Sequence, residues 1–294
     1  MTRIGPAGWA YKDWNGIVYP SPKPRGFHEL TFLARYFDAL EINVSFYRPL
    51  TPKMAAQWVE RVQQNRNFRF TAKLWRGFTH ERNASAADEQ EFKDGLAPLS
   101  EAGRFGALLL QFPWSFRNTD ENRAYVAHLR DCFRDYPLVL EVRHSSWSEP
   151  GMLDALEQLD IGLCNIDQPL FKRSIKPSAV TTSAVGYIRL HGRNYQSWFT
   201  ENKFPGERYD YLYSFDELDP WLDRVKTVET AARDTYVVTN NHYLGKAVVN
   251  ALEISSILKG EPVEAPATLV ERYPELRQFA AGAEPPSQLS LRPE

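Results

Sequence analysis

Five short stretches of the chain place charged or amide side chains on alternate residues of what should be apolar strands. They are LEINVS at 40–45, FTAK at 70–73, LEVR at 140–143, NID at 165–167 and RLH at 189–191. Extended backbone points successive side chains to opposite faces, so Glu41, Asn43 and Ser45 share one face and Leu40, Ile42 and Val44 the other. The same alternation groups Thr71 with Lys73, Glu141 with Arg143, Asn165 with Asp167, and Arg189 with His191. A charge isolated in a protein interior is costly, so such a set must either pair internally or hold a polar ligand.

Two chemistries suit these residue types. Lys73, Arg143, Arg189 and Arg193 could hold phosphate or carboxylate oxygens, leaving Glu41, Glu141, Asp167 and His191 to move protons and Asn43 and Asn240 to orient substrate. Alternatively, Glu41, Glu141, Asp167 and His191 could converge on a divalent metal. The cations on the same faces would repel that metal, and no HxH or HExxH spacing supports it, so the anion reading is preferred and no cofactor is expected. A third account makes the charges structural ion pairs bridging strands, for example Glu141 with Arg189 and Asp167 with Lys73. Ion pairs that serve only stability have no reason to gather at one end of a fold, whereas a ligand does.

The elements that must position these groups follow from periodicity. Strand-like runs occupy 3–8, 39–45, 68–74, 106–111, 138–143, 161–167, 186–191 and 235–240, with helical patterns at 27–38, 52–64, 87–101, 120–135, 150–159, 214–232 and 246–259. Thr51 before Pro52 and Ser214 before FDEL are N-cap signals. Residues 168–183 lack helical character, so the helix after the sixth strand is expected to be degenerate. Eight βα repeats without a GxGxxG turn predict a single α/β domain, a parallel (β/α)8 barrel over residues 1–279 with a long loop after strand seven. The Pro- and Ser-containing stretch 280–294 is expected to be a flexible tail. In such a barrel the polar strand ends fall at the C-terminal mouth, where the loops add Gln111, His144, Asn241 and His242. Gly245, opening the last helix, is expected to aim backbone N–H groups at that mouth.

Aromatic residues crowd two segments near the same mouth: Trp9, Tyr11, Trp14 and Tyr19, and Tyr195, Trp198, Phe199, Tyr209, Tyr211 and Tyr213. Most would serve to pack long loops onto the barrel. Beside Arg193, Asn194, Lys203 and Arg208 they also suit a nucleotide, a glycan or a short single-stranded nucleic acid.

With 35 basic and 37 acidic residues in 294, the formal charge of -2 argues against coating nucleic acid or membrane by bulk electrostatics. The first thirty residues hold no apolar signal region and no uncharged run is long enough to span a membrane, so a soluble cytoplasmic protein with no membrane partner is expected. Cys132 and Cys164, lacking any ligand spacing, are expected to stay reduced.

The motifs GWAYKDWNGIVYP at 8–20, LEINVSFYR at 40–48, FRFTAKLWRGFTH at 68–80, LLLQFPWSF at 108–116, LEVRHSSW at 140–147, YIRLHGRN at 187–194, RYDYLYS at 208–214 and VVTNNHYLGKAVVNAL at 237–252 together resemble the domain-of-unknown-function-72 family, also called YecE-like. The resemblance runs nearly the whole length. It implies a TIM barrel akin to xylose-isomerase-like and endonuclease-IV-like barrels, and it supplies no reaction. Besides the charged set it carries over Trp9, Asn43, Tyr47, His80, Gln111, His144, Trp147, Asn240, Asn241, Gly245 and Asn250. Ser145, Trp114 and Thr239 depart from the family pattern in loops near the mouth, where substrate preference is set.

The expectation is therefore an enzyme, a hydrolase or lyase, that binds a phosphate-bearing substrate (a nucleic-acid or sugar-phosphate ester) at the barrel mouth. The alternatives are a non-catalytic nucleic-acid-binding module and a metal-dependent isomerase or nuclease. The sequence indicates no protein partner.

Overall fold

The computed structural model describes residues 1–198 and 206–282. The eight apolar runs form strands, each starting within one residue of its expected position: β1 (Thr2–Pro6), β2 (Ala39–Ile42), β3 (Arg69–Lys73), β4 (Phe105–Gln111), β5 (Leu138–Glu141), β6 (Ile161–Asp167), β7 (Val185–Leu190) and β8 (Asp234–Thr239). They lie in the order β1-β8-β7-β6-β5-β4-β3-β2, and every neighbouring pair is parallel. The ring closes between β1 and β2 through a bridge of Ala7 with Glu41, where the Gly8 N–H donates to the Glu41 carbonyl at 2.9 Å. The chain is thus the expected (β/α)8 barrel.

Helices alternate with the strands: α1 (Glu29–Leu33), α2 (Val44–Tyr47), α3 (Pro52–Arg61), α4 (Arg76–Thr79), α5 (Ala86–Glu101), α6 (Asp120–Cys132), α7 (Met152–Gln158), α8 (Phe215–Ala231), α9 (Lys246–Lys259) and α10 (Ala267–Arg272). Their starts obey local chemistry. Thr51 accepts the Met54 N–H to open α3, while Ser85 with Asp88 and Ser214 with Glu217 make reciprocal capping boxes on α5 and α8. The pattern at 27–38 overshoots, since α1 stops at Leu33 and the chain continues in turns. Among the described residues, no helix is long and apolar enough to cross a membrane.

The outer strand faces meet the helices, as where Ile188, Leu190 and Val237 pack on Leu218, Trp221 and Leu222 of α8. Inside the barrel, the Tyr187 and Tyr236 rings lie 6.0 Å apart, and the Tyr187 hydroxyl meets Thr71 at 2.7 Å. Polar side chains fill the space above them.

No helix follows β6. Instead an extended segment crosses its outer face, tied there by side chains: Asn165 donates to the Val180 carbonyl at 2.9 Å and accepts from its N–H at 2.8 Å. Thr182 accepts from the Leu163 N–H and donates to the Ile161 carbonyl. This corrects the expected orientation of the strand. Cys164 and Ile166 sit beside the interior residues Tyr187 and Arg189, and Asn165 and Asp167 point outward.

β2 also ends earlier than its alternation suggested. The chain turns into α2 after Asn43, and Ser45 is buried there, donating to the carbonyls of Ile42 and Lys73. After α9, α10 and a 3-10 turn at Pro274–Phe279 fold back against it, and Ala280 pairs with Val263. Of the expected tail, residues 283–294 lie outside the described residues. Cys132 and Cys164 are both free.

Candidate functional site

Strands β2, β3, β5 and β7 deliver their inward charges to one point at the C-terminal end of the barrel. Arg189 is fully buried and bridges two carboxylates, donating to Glu41 at 2.7 Å and to Glu141 at 2.5 Å. Glu41 also accepts from the Tyr187 hydroxyl at 3.0 Å, and Lys73 lies 3.7 Å from it. Arg143 donates to the free oxygen of Glu141 at 2.7 Å. His191 lies 3.2 Å from the same oxygen, and the Asn240 amide meets its other ring nitrogen at 3.0 Å. With Asn240 donating to Nδ1, the ring proton falls on Nε2, facing Glu141.

Burial sets the protonation states. It drives the His191 imidazole down to about 3 against the pull of Glu141, so the ring is neutral near pH 7. Burial works to raise the Glu141 carboxyl, but Arg189, His191 and Arg143 outweigh it and hold it well below the usual range. The Lys73 amine is lowered to about 8 by burial and by Arg189, with Glu41 and Glu141 opposing. An amine that titrates near neutrality and reaches solvent is suited to proton exchange.

Lys73 opens onto a cleft of ≈ 650 Å³ over the mouth. The loops after β1, β2 and β3 supply Lys12, Asp13, Asn43, Phe46, Tyr47, Arg76 and His80. Gln111 and Asn240 lie on the floor, and Arg208, Tyr209, His242 and Tyr243 close the far side. Among these lining residues, the cations Lys12, Lys73, Arg76 and Arg208 face one carboxylate, Asp13, which accepts the Leu244 N–H at 2.7 Å. Burial, with Lys73 nearby, lowers His242 to about 4, and its ring stacks on Tyr11 at 4.2 Å.

The candidate set divides accordingly. Asn43, Tyr47, Lys73, Gln111 and Asn240 line the cleft. Glu41, Glu141, Arg189 and His191 lie beneath it, fully buried, with Arg143 beside them under the Trp198 ring at 5.5 Å. The structure does not bring Asp167 to them. Its carboxylate takes both guanidinium bonds of Arg193 at 2.9 and 3.0 Å and the Tyr213 hydroxyl at 2.5 Å, on the outer face. The pairing of Asp167 with Lys73 is thus replaced by two others, Asp167 with Arg193 and Lys73 with Glu41, because β6 presents the opposite parity.

Asn241 is buried outside the cleft, donating to Asn250 and the Tyr211 carbonyl. His144 caps a turn through Ser146, beside the Trp114 ring. The start of α9 does not open on the mouth either: a Cβ on Gly245 would meet Val18 at 2.8 Å, so residues 17–18 cover it. Phe199 and Lys203 lie outside the described residues.

The four candidate ligands do not assemble a metal site. The oxygens of Glu41 and Glu141 are engaged by guanidinium groups, Asp167 faces away, and among the described residues no three His, Cys, Asp or Glu side chains come together as one. Sequence reasoning passed over Arg76, Lys12 and Trp58. Arg76 stands three residues beyond Lys73 at the start of α4, a spacing that could have flagged it, whereas Trp58 belongs to a helix and carried no signal.

Residues 3–273 match a family model described as "Protein of unknown function DUF72". Solved structures agree. A DUF72 family protein from Thermotoga maritima is 30% identical, with a TM-score of 0.75, the match covering 88% of this chain and 99% of that one. Another from Enterococcus faecalis is 26% identical, with a TM-score of 0.76 over 88% of this chain and 96% of that one. Among curated proteins none matches the chain.

Proposed function

The chain belongs to the DUF72 family, and from that premise we propose that it is an enzyme acting on a small phosphate-bearing substrate in the cleft at the barrel mouth. One observation carries this reading: four cations line the cleft, Arg76 also paired with Glu81 at 2.7 Å and Lys73 lying 3.7 Å from Glu41, while the single carboxylate of the lining, Asp13, is occupied by a backbone N–H. Phosphate, with two charges and three acceptor oxygens, makes fuller use of several separated cations than a carboxylate does.

Within this reading Lys73 meets the anion and exchanges a proton with it, the work first assigned to carboxylates. Asn43, Gln111 and Asn240 orient the substrate from the floor and rim. Glu41, Glu141, Arg189 and His191 are too deeply buried to touch it and act as positioning residues that fix the amine and set its proton affinity. Transfer or cleavage at a phosphate ester, hydrolytic or eliminative, fits a site built from cations and one titrating amine.

The test is calorimetric titration of the protein and of Lys73→Met with inorganic phosphate and ribose 5-phosphate. Binding by the native chain, weakened at least tenfold in a variant with unchanged thermal midpoint, is the expected result. Equal affinity in the variant removes the role of Lys73, and no binding of either compound by the native chain overturns the reading.

A further inference from the structure

A second cavity, of ≈ 400 Å³, adjoins the basic cleft and shares Ala10, Tyr11, Asn43 and Tyr47 with it. Its character is different: Trp9, Trp58 and Met54 complete its walls. The Trp9 and Trp58 rings meet edge to face, 5.1 Å apart at 87°. Tyr47 stands at the shared rim with 66% of its surface exposed, a large aromatic face without cover in the free protein. Trp9 was a sequence candidate for substrate contact, and it is here, rather than in the cleft, that the structure places it.

The seam between the two cavities holds an unfilled polar group. Tyr11 donates its hydroxyl proton to the Ala7 carbonyl at 2.8 Å and accepts from the Asn43 amide at 3.1 Å. That chain uses the donor end of Asn43 and leaves its Oδ1 buried with no partner among the described residues. Gly8 keeps the arrangement, since a Cβ there would lie 2.6 Å from the Tyr11 hydroxyl. A buried carbonyl oxygen without a donor is costly, and a ligand N–H or O–H would relieve it.

We propose that the substrate is nucleotide-like, a planar heteroaromatic base joined to a phosphate, with the base in the slot of Trp9, Trp58 and Tyr47, its polar edge or sugar hydroxyl on Asn43, and the phosphate among the cations of the cleft. The proposal deepens the phosphate reading above and rests on it. Flat aromatic walls take a π face, the bare acceptor takes a donor, and the basic cleft begins where the slot ends. Each cavity falls in the range of about 300–1,000 Å³ usual for small-ligand sites, so a two-part molecule has room in both.

The experiment titrates the full chain with adenosine monophosphate and cytidine monophosphate, and with adenosine, ribose 5-phosphate and inorganic phosphate as the separated parts. A mononucleotide should bind at least tenfold tighter than ribose 5-phosphate. Trp58→Leu, at a side chain that lines the slot and no part of the cleft, should erase most of that advantage, roughly tenfold for one aromatic face, without changing ribose 5-phosphate affinity. Tyr47→Ala, at the shared rim, should weaken the mononucleotides in the same direction. Ribose 5-phosphate equal to the mononucleotides, or a Trp58→Leu that weakens both alike, overturns the base slot and leaves the phosphate reading standing. Adenosine binding as tightly as its monophosphate removes the phosphate reading and the phosphate half of this one, and no binding by any of them overturns both.

Discussion

Two ion-pair networks stand a few residues apart at the same end of the barrel, one inside β7 and one outside it. The inner one sets Glu41 and Glu141 against Lys73, Arg143 and Arg189, leaving one cation in excess, and that cation reaches the cleft. In the outer one Arg193 serves both Asp167 and Glu217, and the Tyr213 and Tyr211 hydroxyls donate to the two carboxylates. That arrangement is closed on itself. It joins the end of β6 to the start of α8 and to the 211–213 segment between, and it lines no part of the cleft. Both networks set arginine against carboxylates that also accept a tyrosine or histidine proton, and the parity of β6 is what assigns Asp167 to holding a loop and not to charging the binding site.

The two networks should differ most at their arginines. Arg189→Met takes the shared guanidinium from two fully buried carboxylates, leaving Glu41 to Tyr187 and Lys73 and Glu141 to Arg143, which should cost about 3–5 kcal/mol in urea unfolding. Arg193→Met removes a cation with 30% exposure and leaves one buried carboxylate, Asp167, which keeps the Tyr213 hydroxyl, so it should cost less, about 2–3 kcal/mol. Equal losses would mean that burial does not separate the networks.

Asp167→Asn sharpens the contrast on the functional side. The variant keeps the shape of the side chain but removes the charge that Arg193 grips and weakens the acceptor for Tyr213. It should lower stability by about 1–3 kcal/mol and leave phosphate affinity within twofold of native. A tenfold loss of affinity with full stability would return Asp167 to the site from which its outward position excludes it.

Most of the scaffold was legible because the strand signal is local. Runs such as ALLLQ and LVLE are bounded by turn residues, and no competing helical period covers them. Facing was legible on β2, β5 and β7, where aliphatic side chains alternate with charged ones and the helices outside claim the aliphatic face. β6 inverted that logic for a reason the sequence did contain. The helix that should cover its outer face is missing from 168–183, so the outer face meets a peptide backbone, and Asn165 is there to bond it. A polar residue on that strand is therefore an anchor for the crossing segment. The basic cleft was only half visible, since Lys73 sits on a strand but Lys12 and Arg208 come from segments whose approach no periodicity encodes, and Arg76 from the single turn of α4. The aromatic slot was less visible still, because Trp58 reaches it from the face of α3.

The smallest expected effect is a matter of pH, and it too separates the networks. His191 is held down to about 3 in the folded chain, against about 6.5 when unfolded, so between these values the unfolded state binds the extra proton. Stability from keeping this ring neutral is complete above about pH 6.5 and is lost as pH falls toward 3. His242, held at about 4, contributes in the same direction. The outer network has no histidine: the Glu217 carboxyl, which burial works to raise, is lowered on balance by Tyr211, Ser214 and Arg193, so its loss begins only below the ordinary carboxylate range near 4.5. Urea midpoints taken from pH 7 to 5 should therefore fall with a slope that His191→Gln reduces and Arg193→Met leaves unchanged. A slope that responds to Arg193→Met instead would place the neutral-range proton linkage in the outer network and dissolve the division between the two.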